Sequence, residues 1–241
     1  MTVGTVGTVG TVGTVRAVGW AMPTVLLLSW GMFPYRKLLV WGLLLMVVAP
    51  LGAQEPKPGK FENRALSAMS LAGQKVPILP ITMVVADPEA EPDSLYAPYR
   101  ERAAALRRAD SLIVLELEAR GPEVSWLTPH ELRKMARRAP GMLNSPDELG
   151  QAMLRNERLE KIPDQLAAQL RKLVAIAGGR MVFVPAALSF SHTPEGRYRA
   201  DLALVLVDTR RNEVVWRSSA VGQGADPDLA LRSALLTVFP Q

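Results

Sequence analysis

Cysteine is absent from all 241 residues. The chain therefore holds no disulfide, thiolate nucleophile, Cys-ligated zinc or acceptor for an N-terminal lipid. Histidine occurs only twice, at His130 and His192, which leaves little material for imidazole chemistry. Acidic residues are missing from the first 54 positions, yet those positions carry eight of the eighteen glycines and three of the five tryptophans. The formal charge of +5 therefore averages over two unlike pieces. Only three of the 28 basic side chains precede Gln54, so residues 54–241 hold 25 basic groups against 23 acidic ones. That near balance gives no charge-based case for nucleic acid as a partner, and the remaining length suffices for one well-buried core.

What the first part does contain is patterned. Residues 2–15 are four copies of Thr-Val-Gly and a final Thr-Val. This triplet lacks the proline of collagen and has no face that packs as a helix. Residues 1–31 are accordingly expected to be a disordered leader, or to precede a true start at Met32. From Met32 the chain runs through Arg36-Lys37, an apolar run at 38–48, and Ala49-Pro-Leu-Gly-Ala53 before Gln54. A basic region, an apolar region and a small residue at the junction are the parts of a secretory signal. Residues 32–53 are expected to act as one, cut between Ala53 and Gln54, with export to the periplasm or another extracytoplasmic space. The alternative retains 38–53 as an uncleaved anchor, or pairs it with 17–35 as a membrane hairpin. Against the hairpin, 17–35 contains Gly19, Pro23, Ser29, Gly31 and Pro34, and 38–53 is short for a span. Membrane contact is expected only through an uncleaved leader. Residues 54–75 read as a linker, with Pro and polar residues at its start.

Residues 76–241 are expected to form a single α/β domain: a mixed sheet of four to five strands, a C-terminal antiparallel three-strand meander, and helices packed on the sheet. The β-branched run at 76–86 predicts a buried strand in its second half. Tyr99, Ala103, Leu106, Ile113 and Leu117 recur at helical spacing until Gly121-Pro122, predicting one long helix. A short strand at 124–127 leads into Thr128-Pro-His-Glu131, a capping box with proline at the first helical position. Ser145-Pro-Asp-Glu148 repeats that start signal, with Leu149, Met153 and Leu154 as an apolar side. Asp164 opens a further helix stopped by Gly178-Gly179. Three β-rich runs follow at 181–190, 198–207 and 213–221, with Asn212 in the last turn suited to the left-handed conformation. A closing helix at 227–239 offers Leu229, Leu235, Leu236 and Phe239 to the core.

The C-terminal third combines a helix ending at Ala177-Gly-Gly-Arg180, the strand Asp201-Leu-Ala-Leu-Val-Leu-Val-Asp208, the strand Glu213-Val-Val-Trp216 and a closing helix. This layout resembles the bacterial envelope domains grouped around the TolB N-terminal fold, which include the curli channel subunit CsgG and the penicillin-binding-protein activator LpoB. The matching residues are 204–208 and 214–216. Asn212 stands where the group has a turn glycine, and the lipidated cysteine of its outer-membrane members is missing. The resemblance implies a non-catalytic module that binds other envelope proteins, with the partner left open.

Candidate chemistry is sparse. His130 lies in the first turn of a helix, where the dipole disfavours a cation. His192, in a hairpin loop, is the one candidate for a hydrolytic group with Ser189 and Asp201, although no nucleophile-elbow motif is present. Two histidines plus a carboxylate have no zinc-ligand spacing. Gly222-Gln-Gly224 sits between a strand and a helix as a phosphate loop would, but Asp226 and Asp228 put negative charge at that helix start. Glu116 and Glu118 fall on different helix faces, and Glu89, Glu91 and Asp93 share a loop. Trp126 and Trp216 fit core positions. The strongest charge signal is the basic cluster Arg133, Lys134, Arg137 and Arg138 together with Arg210 and Arg211. It reads either as a solvated face or as a patch for an acidic partner, lipid phosphate or an envelope protein. The expectation is a binding module without a cofactor or metal, with a hydrolase using His192 and a membrane-anchored structural protein as the alternatives.

Overall fold

The computed structural model describes residues 65–88 and 92–240. The repeat, the apolar leader, the signal segment with its Ala53–Gln54 junction and the start of the expected linker lie outside them. The rest of that linker joins the core: Leu66 and Leu71 are buried, and the Leu66 N–H donates to the Val238 carbonyl at 2.9 Å.

The element order is β1 (Lys75–Pro77), β2 (Val84–Ala86), α1 (Ala97–Arg100), α2 (Arg102–Arg120), β3 (Ser125–Leu127), α3 (Pro129–Arg138), α4 (Asp164–Ala177), β4 (Met181–His192), β5 (Tyr198–Asp208), β6 (Glu213–Gly224) and α5 (Pro227–Val238). The main sheet has the order β2-β4-β5-β6, with β2 parallel to β4 and an antiparallel meander from β4 to β6. A parallel pair, β1 and β3, stands beside it and touches β4 through the Ile78–Phe183 bridge. This is the expected mixed sheet with its meander.

Two bulges decide which side chains face which layer. In β4 the register shifts between Pro185 and Ala187. Before the shift, Phe183 packs with α2 and α5 while Val182 and Val184 pack with α4. Beyond it, Leu188 and Phe190 face the α2 and α5 side, so one extra residue has exchanged the parity. A second shift between Leu206 and Val207 does the same for β6, where Val214 and Trp216 enter opposite cores. Residues 182–186 of β4 and 203–207 of β5 are therefore covered on both faces, which explains their unbroken apolar runs.

Several local expectations are corrected. The strand in the second half of 76–86 exists, but Val85 is 44% exposed, and the buried residues are Val76, Ile78, Leu79 and Ile81 before it. The long helix is broken at Glu101, whose extended backbone ends α1. Its carboxylate accepts the Ala103 and Ala104 N–H groups and caps α2. Residues 145–155 form two 3-10 turns, Pro146–Glu148 and Gln151–Arg155, because Gly150 takes φ +86 between them. In α5, Leu235 and Phe239 are buried as expected, but Leu229 and Leu236 are exposed and Ala230, Leu231, Ala234 and Val238 fill the interface. Asn212 is left-handed at φ 55.

Close approach accounts for the glycines once weighed as a phosphate loop. A Cβ on Gly222 would lie 2.0 Å from the Ala234 nitrogen and 2.4 Å from the Ala230 oxygen. The backbone of α5 rests directly on β6, so there is no room for a phosphate.

Candidate functional site

An open groove of about 400 Å³ lies between the outer face of α2 and the start of α3. Its α2 wall is Arg107, Ser111, Val114, Leu115 and Glu118, and its α3 wall is Thr128, Pro129 and His130. The α3 wall is fixed by the capping box expected from the sequence. The Thr128 hydroxyl accepts the Glu131 N–H at 3.3 Å, and the Glu131 carboxylate accepts the Thr128 N–H at 2.8 Å.

At the floor lies Asp110, with its side chain 7% exposed. One carboxylate oxygen accepts the Ile81 N–H at 2.8 Å and the other accepts Arg133 Nη2 at 3.0 Å. Arg133 also grips Asp147, with Nη2 at 2.7 Å and Nε at 3.0 Å. One guanidinium thus joins α2, α3 and the first 3-10 turn. Burial pushes the Asp110 carboxyl up to about 6, against the pull of the Ile81 N–H and of Arg133. The Arg133 guanidinium is held above its ordinary range, chiefly by its hydrogen bonds to Asp147.

The groove collects a serine, a histidine and an aspartate without joining them. Ser111 Oγ donates to the Arg107 carbonyl at 2.8 Å, and both Asp110 oxygens are engaged as above. The hydrolytic group weighed at His192 is not assembled either. Ser189 and Asp201 are paired across β4 and β5, while His192 follows Phe190 on the other face of the sheet. Asp201 is held by Arg199 at 2.9 Å, and the carboxylate near His192 is Asp93, at 3.6 Å. Among the described residues, no group of three potential metal ligands occurs, and no helix is long and apolar enough to cross a membrane.

The six basic candidates divide. Arg133 is the structural bridge just described. Lys134, Arg137 and Arg138 are exposed along α3. Arg210 and Arg211 are exposed in the β5–β6 turn, where their N–H groups donate to the buried Asp208 carboxylate. Arg180 grips the same carboxylate and, by its hydrogen bonds, holds it below the usual range. No hydrogen bond or ion pair among the described residues joins the α3 group to the turn pair. Glu116 binds Arg120 and Arg232, tying α2 to α5, so it forms no dyad with Glu118. Trp126 and Trp216 pack around Phe183.

Sequence reasoning missed Asp110 and Asp147. The available signal was position: Asp110 stands between Ala109 and Ile113 on the apolar stripe of α2, where a carboxylate requires a partner.

No family model matches the chain, and no curated protein matches it. Among solved structures, it is similar to the C-terminal domain of LpoB from Salmonella enterica, at 18% identity over 64% of this chain and 84% of that domain, with a TM-score of 0.34. It is also similar to the PelC dodecamer from Paraburkholderia phytofirmans, at 15% identity over 74% of this chain and 92% of that one, with a TM-score of 0.35. A lipoprotein from Neisseria meningitidis gives 14% identity over 63% and 81%, with a TM-score of 0.29. The resemblance to the LpoB group stated for the C-terminal third recurs among these structures.

Proposed function

We propose that this chain is an exported, non-catalytic α/β domain that acts by binding another protein of the bacterial cell envelope. The observation that carries this reading is the α2/α3 groove: an open surface whose polar floor is committed to holding the fold and whose rim is exposed. The leader pattern at 32–53 supports export. The exposed cations Lys134, Arg137 and Arg138 on α3, with Arg210 and Arg211 on the β5–β6 turn, supply a second, electrostatic contact for an acidic partner.

The test is capture from envelope extracts on the immobilised chain, beside the charge-reversed variants Arg137→Glu/Arg138→Glu and Arg210→Glu/Arg211→Glu. Specific capture of one envelope protein, lost in a variant, is the expected result. Capture unchanged in both variants removes the basic patches, and the absence of any specific protein removes the binding role. Intact mass of the membrane-free product, with a first residue near Gln54, checks export.

A further inference from the structure

Resting on the binding-module reading above, we propose that the α2/α3 groove receives an amphipathic helix of a partner protein. That helix carries an acidic side chain toward its N-terminus, two apolar side chains in the middle and a basic side chain toward its C-terminus. Arg107, Ser111, Val114 and Glu118 are spaced by four, three and four residues, so they form one stripe along α2. At 1.5 Å per residue, its two ends are about 16 Å apart.

The charges at those ends are available. The nearest carboxylate to Arg107 is Glu101 at 3.9 Å, with both side chains 66% exposed. Glu118 is exposed and makes no ion pair among the described residues. Inside the groove the charged groups are engaged with one another, Arg133 being shared between Asp110 and Asp147. What remains is a cation at one end, an anion at the other, and Val114, half-exposed Leu115 and Pro129 between them. A volume of about 400 Å³ admits side chains of a helix laid over the groove rather than the helix itself. Charge complementarity sets the direction. The occupant's acid meets Arg107 and its base meets Glu118, so it runs parallel to α2, with its charges placed favourably for its own dipole.

The test uses two blocked alanine-rich helical peptides. The first has glutamate, leucine, leucine and lysine at successive spacings of four, three and four residues, and the second has glutamine in place of both the glutamate and the lysine. Fluorescence anisotropy with the full-length chain is expected to show the first peptide binding at least tenfold more tightly. In Arg107→Gln/Glu118→Gln the preference disappears, and Leu115→Glu weakens both peptides at least tenfold. All three positions are exposed, and urea unfolding confirms that each variant folds. Should the double variant not fold, amide NMR shifts of the unaltered chain decide, with changes expected at Leu115 and Val114. No binding at millimolar peptide, equal binding of the two peptides, a preference that survives the double variant, or shifts elsewhere overturns the proposal. Capture of an envelope protein through Arg137 and Arg138, with neither peptide binding, retains the binding module and removes this groove from it.

Discussion

Removing the cation beside Asp110 tests the energetics of the groove floor. In the unfolded chain an aspartate titrates near about 3.9, whereas in the fold this one is pushed up to about 6. A raised folded value means that the proton is held more tightly in the native state. The corresponding stability is fully present below about pH 4 and is lost as pH rises through about 6. Two pKa units correspond to about 3 kcal/mol. Above that window the carboxylate is tolerated because Arg133 and the Ile81 N–H face it.

Arg133→Met takes away the guanidinium and leaves a buried charge, a loss of about 3–5 kcal/mol at pH 8. The same change drives the Asp110 pKa higher, so at pH 4.5 a proton replaces the missing cation. The loss there is expected to be smaller by about 1.4 kcal/mol or more, the equivalent of one further unit. Asp147→Asn is the control, since that carboxylate is 44% exposed and contributes less than about 1 kcal/mol. Urea unfolding of the full-length chain, followed by circular dichroism at pH 4.5, 6 and 8, measures each value. Asp110→Asn should flatten the wild-type slope between pH 4 and 6. Equal losses for Arg133→Met at pH 4.5 and 8, or a slope that survives Asp110→Asn, would refute the reasoning.

Other changes test the packing. Gly222→Ala forces α5 off β6 and should destabilise by about 3 kcal/mol or more, read by urea unfolding, with the slope unchanged. Leu132→Ala empties a fully buried position between α3 and the α4 side of the sheet, at a cost of about 3 kcal/mol on the same assay. Asn212→Val should lower the melting temperature by placing a β-branched residue at φ 55, a strain of about 1–2 kcal/mol, while Asn212→Gly should not.

Sequence alone determined the elements whose signals are local. The Thr128–Glu131 capping box, the proline-started helices, the stop after Ala177 and the left-handed Asn212 follow from neighbouring residues, as do the three long strands of the meander. The absence of cysteine likewise settled disulfide and thiolate chemistry before any fold was known. Tertiary structure decided what depends on partners distant in the chain. The bulge at Pro185 and Ala187 put Leu188 and Phe190 on the same face as Phe183, which periodicity read without a register shift does not reveal. Arg133 looked like part of a basic surface. Two carboxylates, 23 positions before it and 14 after it, made it a bridge between elements. The floor of the groove is likewise a tertiary product: Arg133 of α3 meets Asp110 of α2, whose other oxygen takes the Ile81 N–H from the segment before β2.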